Sequence, residues 1–176
     1  MSLGAKLSRN ETHLQFNGTG AHASLNSAAL LSGARHSDFT TNVRHRAESC
    51  QARQIHKGVA RDSARNVFQG KFHVDRAAQK TDAQMTANAL LLSDRAEANH
   101  KPELEIYADD VECAHGSTAG ALDEDALFYL RQRGLSEETA RGLLIEAFIG
   151  EVIDGVEDEK LRFVLQSRVH QWLEAS

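Results

Sequence analysis

The spacing of apolar residues changes part-way along the chain. From residue 121 onward it follows the helical period. Asp123 can cap a helix whose first turn holds Glu124 and Asp125, where carboxylates suit the helix dipole. Leu127, Phe128, Tyr129 and Leu130 follow, then Arg131 and Arg133, with Gly134 as a left-handed stop. Ser136 caps a second predicted helix, in which Ala140, Leu143, Leu144, Ala147 and Phe148 form a stripe on one face. Asp154-Gly155 ends it. A third helix is expected from Asp158 to Leu173, with Leu161, Val164, Leu165, Val169, Trp172 and Leu173 on its apolar side.

The residues before 121 alternate instead. Val67, Phe72 and Val74 lie around Gly70, and Leu104 and Ile106 lie between Glu103, Glu105 and Tyr107. Val111 and Cys113 continue the pattern after Asp109-Asp110. Such groups predict short strands of about four to six residues with one buried face. Gly33, Gly58, Gly70 and Ser93 read as turn residues separated by 25, 12 and 23 positions. One long period near 24 residues, with a half-period inside it, suggests the stacked coils of a β-solenoid. An antiparallel β-sandwich is the alternative that periodicity leaves open. The expected division is a β unit over 1–120 and a helical unit over 121–176.

Composition narrows the classes. The 176 residues include 25 acidic and 20 basic side chains, and 41% are apolar, which is enough for a packed core. No apolar run approaches the ~18 residues of a membrane span, and the N-terminus lacks the apolar core of a signal peptide. Cys50 and Cys113 are too few for a disulfide framework and fit a cytoplasmic protein. The net charge of −5 conceals a split. Residues 35–80 carry ten Lys/Arg against four Asp/Glu, whereas residues 101–176 carry seven against 17. A phosphate-tracking groove in the basic stretch is conceivable, but its charges alternate with core positions, so a solvated solenoid face is favoured. Helices 123–133 and 137–152 have the outline of a helix-turn-helix, but their acidity opposes nucleic acid. No phosphate-binding glycine loop occurs, so nucleotide hydrolysis by this chain is not expected.

Chemistry concentrates between Tyr107 and Gly116. On an extended strand, Cys113 and His115 share a face and lie roughly 6.5–7 Å apart along it. They could converge on one metal, yet two ligands do not complete a site, so other groups or another chain must supply the rest. The plain reading is a buried thiol and a solvent-facing imidazole at the strand end. A third reading pairs them as nucleophile and base of a metal- or thiol-dependent enzyme, though no oxyanion hole or substrate motif accompanies them. The remaining histidines are scattered, without metal-ligand spacing, and read as surface or coil-stacking residues. Cys50 reads as a small core residue.

Several runs resemble the SufB/SufD family of iron–sulfur assembly proteins. They are Gln79-Lys80-Thr81-Asp82-Ala83-Gln84, then Asn88-Ala89-Leu90-Leu91-Leu92-Ser93-Asp94-Arg95-Ala96, then the stretch from Lys101-Pro102-Glu103 through Cys113-Ala114-His115-Gly116. The likeness continues through Gly120-Ala121-Leu122-Asp123-Glu124 and Leu127-Phe128-Tyr129-Leu130-Arg131-Gln132-Arg133-Gly134-Leu135 to Ala147-Phe148. The Cys113-Ala114-His115 segment resembles the SufD side of the family. The resemblance implies a right-handed parallel β-helix followed by a C-terminal helical domain, in a non-catalytic scaffold. It implies pairing with SufB through the β-helix and docking of the ATPase SufC on the helices, for which Leu127, Tyr129, Leu130, Leu143, Leu144 and Phe148 are candidates. The nascent iron–sulfur cluster would meet His115, a possible metal ligand shared with the partner, and Cys113 beside it. No cofactor is expected in this chain alone. Family members are more than twice this length, and Met1-Ser2-Leu3 resembles an added start, so a C-terminal fragment is expected. Its first coil should then be masked by self-association, as a homo-oligomer, or by a disordered N-terminus.

Overall fold

The computed structural model describes residues 1–175. The strands are β1 (Ser8–Phe16), β2 (His22–Leu31), β3 (His36–His45), β4 (Gln51–Ala60), β5 (Arg65–Val74), β6 (Asp82–Leu91), β7 (Glu97–Ile106) and β8 (Glu112–Gly120). All six strand pairs are parallel, and each strand pairs with the one two places on. The odd strands thus form one sheet, β1-β3-β5-β7, and the even strands another, β2-β4-β6-β8. Only a chain that winds through both sheets in turn gives this order, so the β unit is a solenoid of four two-stranded coils. The parallel register excludes the antiparallel sandwich.

The coil is longer than the glycine spacing suggested. Ser8 lies opposite Ser37, His36 opposite Arg65 and Arg65 opposite Glu97, giving repeats of 29 to 32 residues rather than 24. Strands run to nine or ten residues, not four to six. The cause is the identity of the turn residues. Gly33, Asp62 and Ser93 occupy equivalent corners, with Gly33 at φ 68° and Asp62 at φ 62°. The Asp62 carboxylate accepts from Gly33 N at 2.7 Å, and Ser93 Oγ accepts from Asp62 N at 2.9 Å, stacking one corner on the next. Gly58 and Gly70 are not turn residues. They face inward from within β4 and β5, where neighbouring side chains need their space.

β5 shows how the sequence specifies the coil. Asn66, Phe68, Gly70, Phe72 and Val74 are buried inside, while Val67, Gln69, Lys71 and His73 face out. Burying Phe68 and Phe72 completely stabilises the fold by ~2–3 kcal/mol each. Met85, on β6, fills the hole above Gly70; a Cβ there would come within 2.5 Å of its Sδ. Large residues on one sheet therefore face small ones on the other, as close packing requires.

The outer faces carry charge between coils. Arg44 pairs with Asp75, Arg65 with Glu97, Lys71 with Glu105 and Arg53 with Asp82, each bridging adjacent coils. These pairs account for much of the basic stretch as a solvated solenoid face.

The helices α1 (Glu124–Gln132), α2 (Glu137–Ile153) and α3 (Glu159–Glu174) begin at Asp123, Ser136 and Asp158, each of which accepts hydrogen bonds from the first turn. The buried stripe of α2 is Ala140, Ile145, Ile149, Val152 and Ile153. That is rotated from the expected face, and Leu143 and Ala147 are exposed. Ile145, Ile149 and Val152 pack with Val169 and Trp172 of α3 on Ala28, Leu30 and Val59, the outward side of β2 and β4. This contact decides which side of α2 is covered. On α3, Leu161 and Val164 are exposed as well. Lys57 is buried under α2, ion-paired with Glu151 and 4.4 Å from the Phe148 ring.

The N-terminal segment is ordered rather than disordered. Ser2 pairs with Ala29 on the free edge of β2, where its N–H donates to the Ala28 carbonyl. The outer edge of β1 has no strand beside it among the described residues. No described helix is long and apolar enough to cross a membrane.

Candidate functional site at the open end of the solenoid

The fourth coil, β7 and β8, has no strand stacked on its far side among the described residues. Its inward-facing side chains are therefore only part-covered, and both strands present unpaired backbone groups. Cys113 and His115 lie here. Parallel register sets Cys113 over Ala83 and His115 over Met85, both buried inside the third coil, so Cys113 and His115 occupy inward positions of the fourth. Cys113 is half-buried and His115 exposed. The predicted common face is thus present, and it looks out of the solenoid's end.

Burial pushes the Cys113 thiol above its ordinary value; the Asp82 carboxylate adds to this and a backbone hydrogen bond at Ala83 opposes it. Nothing among the described residues makes this cysteine an activated thiolate. No group of three or more His, Cys, Asp or Glu side chains positioned for a metal occurs among the described residues. The pair is an incomplete donor set. Asp109, Asp110 and Glu112 precede the pair in the sequence and are exposed.

A second feature of this end is hidden inside the solenoid. Ser27 Oγ is 2.8 Å from His56 Nδ1, and His56 Nε2 is 3.1 Å from the amide nitrogen of Asn66. That nitrogen is also 3.3 Å from His100 Nε2, and His100 Nδ1 is 3.1 Å from Ser117 Oγ. The chain takes groups from β2, β4, β5, β7 and β8, so it passes through all four coils and ends on the open strand. His56 and Asn66 are fully buried, and His56 stacks on Phe68 with ring centres 4.7 Å apart. Desolvation holds His56 down at about 3, with His100 adding to the effect and the Asn66 hydrogen bond opposing it. Burial lowers His100 too, partly offset by a hydrogen bond to the Ala87 carbonyl. Both rings are neutral at neutral pH.

These interior histidines were not legible as such. Of the surface and coil-stacking alternatives, His45 and His56 take the second: both are fully buried and pack on Phe16, Phe68 or Phe72 of neighbouring coils. The available signal was parity: each occupies an inward position of its strand once the true register is known. Cys50 is buried as expected, its thiol 3.2 Å from the Gly18 carbonyl.

Of the candidate docking residues, Tyr129 and Leu143 are exposed. Leu127 is buried, and Leu130, Leu144 and Phe148 are half-buried, the last two against the core shared with the sheet. Phe128, Leu161, Phe163 and Val164 are further exposed apolar side chains of the helical unit.

Comparison with known proteins places this arrangement. Residues 1–148 match the family described as SUF system FeS cluster assembly, SufBD core domain. The chain belongs to the SufBD family. It is 40% identical over 171 residues to the iron–sulfur cluster assembly protein SufD of Escherichia coli, covering 97% of this chain and 40% of that protein. It is 40% identical over 156 residues to a SufBD family protein of Synechocystis, covering 89% of this chain and 34% of that protein. SufD of Bacillus subtilis is 29% identical over 171 residues, 97% of this chain and 39% of that protein. The chain thus spans 34–40% of the length of these SufBD relatives. The SufBD match covers the four coils, α1 and most of α2.

Proposed function

We propose that this chain is a SufD-like scaffold of SUF iron–sulfur cluster assembly. It is non-catalytic, pairs with SufB through the open end of the solenoid and docks SufC through its helices. The observation that carries the reading is the incomplete donor pair Cys113 and His115 on an uncovered strand end. The described residues supply only two donors there, whereas a partner laid on β7 and β8 would satisfy their edges and add ligands. The nascent cluster is cargo at that junction, with His115 as a shared ligand and Cys113 beside it. The exposed side chains of Phe128, Tyr129 and Leu143 offer apolar contacts on an acidic helical unit for SufC. The expected compartment is the cytoplasm.

The enzyme reading of Cys113 and His115 is disfavoured by the raised thiol, which leaves little nucleophile at neutral pH. The test is co-purification of the full-length protein with SufB and SufC, followed by cluster assembly with His115→Ala and Cys113→Ala separately. Retained association and lost assembly in His115→Ala support the proposal. No association, or full assembly without His115, rejects it.

A further inference from the structure

The buried chain that ends at Ser117 has a direction. Only the amide nitrogen of Asn66 faces His100, and an amide nitrogen is a donor. The facing Nε2 must therefore accept, which places the His100 proton on Nδ1. The ring also has a backbone hydrogen bond at Ala87. Nδ1–H then points at Ser117 Oγ, 3.1 Å away. With its oxygen accepting from inside, Ser117 keeps its own hydrogen for a partner outside.

This arrangement is built in rather than incidental. Asn66 is fully buried, and its amide occupies the space that a side chain at position 58 would fill. Ser27 anchors the far end through His56. Ser117 is exposed on β8, two positions from His115 on the same inward-facing row. Ala87, Ser117's register partner, is buried and apolar, so its side chain offers the hydroxyl no rival acceptor.

We propose that Ser117 is a binding residue of the open-end site, donating a hydrogen bond to an anionic sulfur, sulfide or thiolate, held near Cys113 and His115. His100 and Asn66 are its positioning residues. They touch no ligand, and they act by fixing which way the hydroxyl turns. A neutral donor suits this role, because a hydrogen bond to cluster sulfur stabilises the reduced, more negative state without adding a charge. The inference rests on the proposed function and adds a residue to it.

The test uses the full-length protein in its complex with the assembly partners, with cluster yield and reduction potential as readouts. Ser117→Ala is exposed and should leave folding intact while lowering the potential and cutting yield about three- to tenfold; Ser117→Thr, which keeps the hydroxyl, should restore both. His100→Asn keeps a donor at the Nδ1 position and should behave like the parent. His100→Asp presents only an acceptor there, turns the Ser117 hydrogen inward and should reproduce the Ser117→Ala loss. The double variant His100→Asp/Ser117→Ala should be no worse than either alone. Unchanged potential and yield in Ser117→Ala, with assembly abolished in His115→Ala, overturn this inference and leave the proposed function standing. Additive losses in the double variant overturn the positioning role of His100. Full assembly in His115→Ala rejects both.

Discussion

Gly58 and Asn66 share one space: a Cβ at position 58 would lie 2.5 Å from Cγ of Asn66, which is fully buried across the coil. The glycine is thus there for the amide, not for a turn. Gly58→Ala should destabilise the chain by about 2–4 kcal/mol, combining overpacking with a displaced polar network. Asn66→Ala vacates the space, so the double variant should be more stable than the sum of the single losses predicts. Urea denaturation of the four proteins measures the coupling, and strict additivity would contradict the shared space.

His45 supplies a pH prediction. It is fully buried between Phe16 and Phe72, and neither ring nitrogen has a hydrogen-bond partner among the described residues. Burial lowers it to about 4, and His56 to about 3. The unfolded chain binds these protons below pH ~6.5 while the folded chain refuses them, so stability is complete above that value. It falls as pH drops from 6.5 towards 4 and then 3, by ~1.4 kcal/mol per pH unit for each such histidine. His45→Phe removes one contribution without leaving a hole. Its denaturation midpoint should match or exceed the parent at pH 7 and decline less steeply towards pH 4.

The carboxylates extend the same limb to lower pH. The Arg53 guanidinium holds Asp82 below the usual range, and Lys71 with His73 does so for Glu105. Their stabilisation is present above ordinary carboxylate values and is lost on further acidification. These ion pairs are part-exposed and screened by solvent, so 0.5 M salt should shift the denaturation midpoint at pH 7 only slightly.

Exposure separates packing from docking among the helical residues. Leu127→Ala should cost about 2–4 kcal/mol of stability, because the side chain is buried. Tyr129→Ala and Leu143→Ala should change stability by less than ~0.5 kcal/mol and, under the proposed docking, weaken binding of SufC at least tenfold. Calorimetric titration against SufC distinguishes the groups. Unaltered affinity in both surface variants would move the docking site elsewhere.

Thiol reactivity checks the electrostatics at the open end. Cys113 should react with a neutral disulfide reagent more slowly than a free cysteine at pH 7.5, with its midpoint displaced upward. Cys50, 1% exposed, should react only on unfolding. A Cys113 rate faster than free cysteine would revive the nucleophile reading.

The sequence by itself determined the change from strand to helix period, the three capped helices and the pairing of Cys113 with His115 on one face. All of these depend on residues close together in the chain, where the helical period, side-chain caps and strand alternation act locally. It also carried the solenoid, but with the wrong repeat, because Gly58 and Gly70 look like turn glycines until the residues facing them are known. Tertiary structure alone decided the 29–32-residue register, and with it which histidines lie inside. It also rotated the buried face of α2, since Ile145, Ile149 and Val152 are selected by the outward side of β2 and β4. The path from Ser27 to Ser117 joins residues far apart in sequence, one coil above another. No local pattern encodes such contacts; stacking creates them.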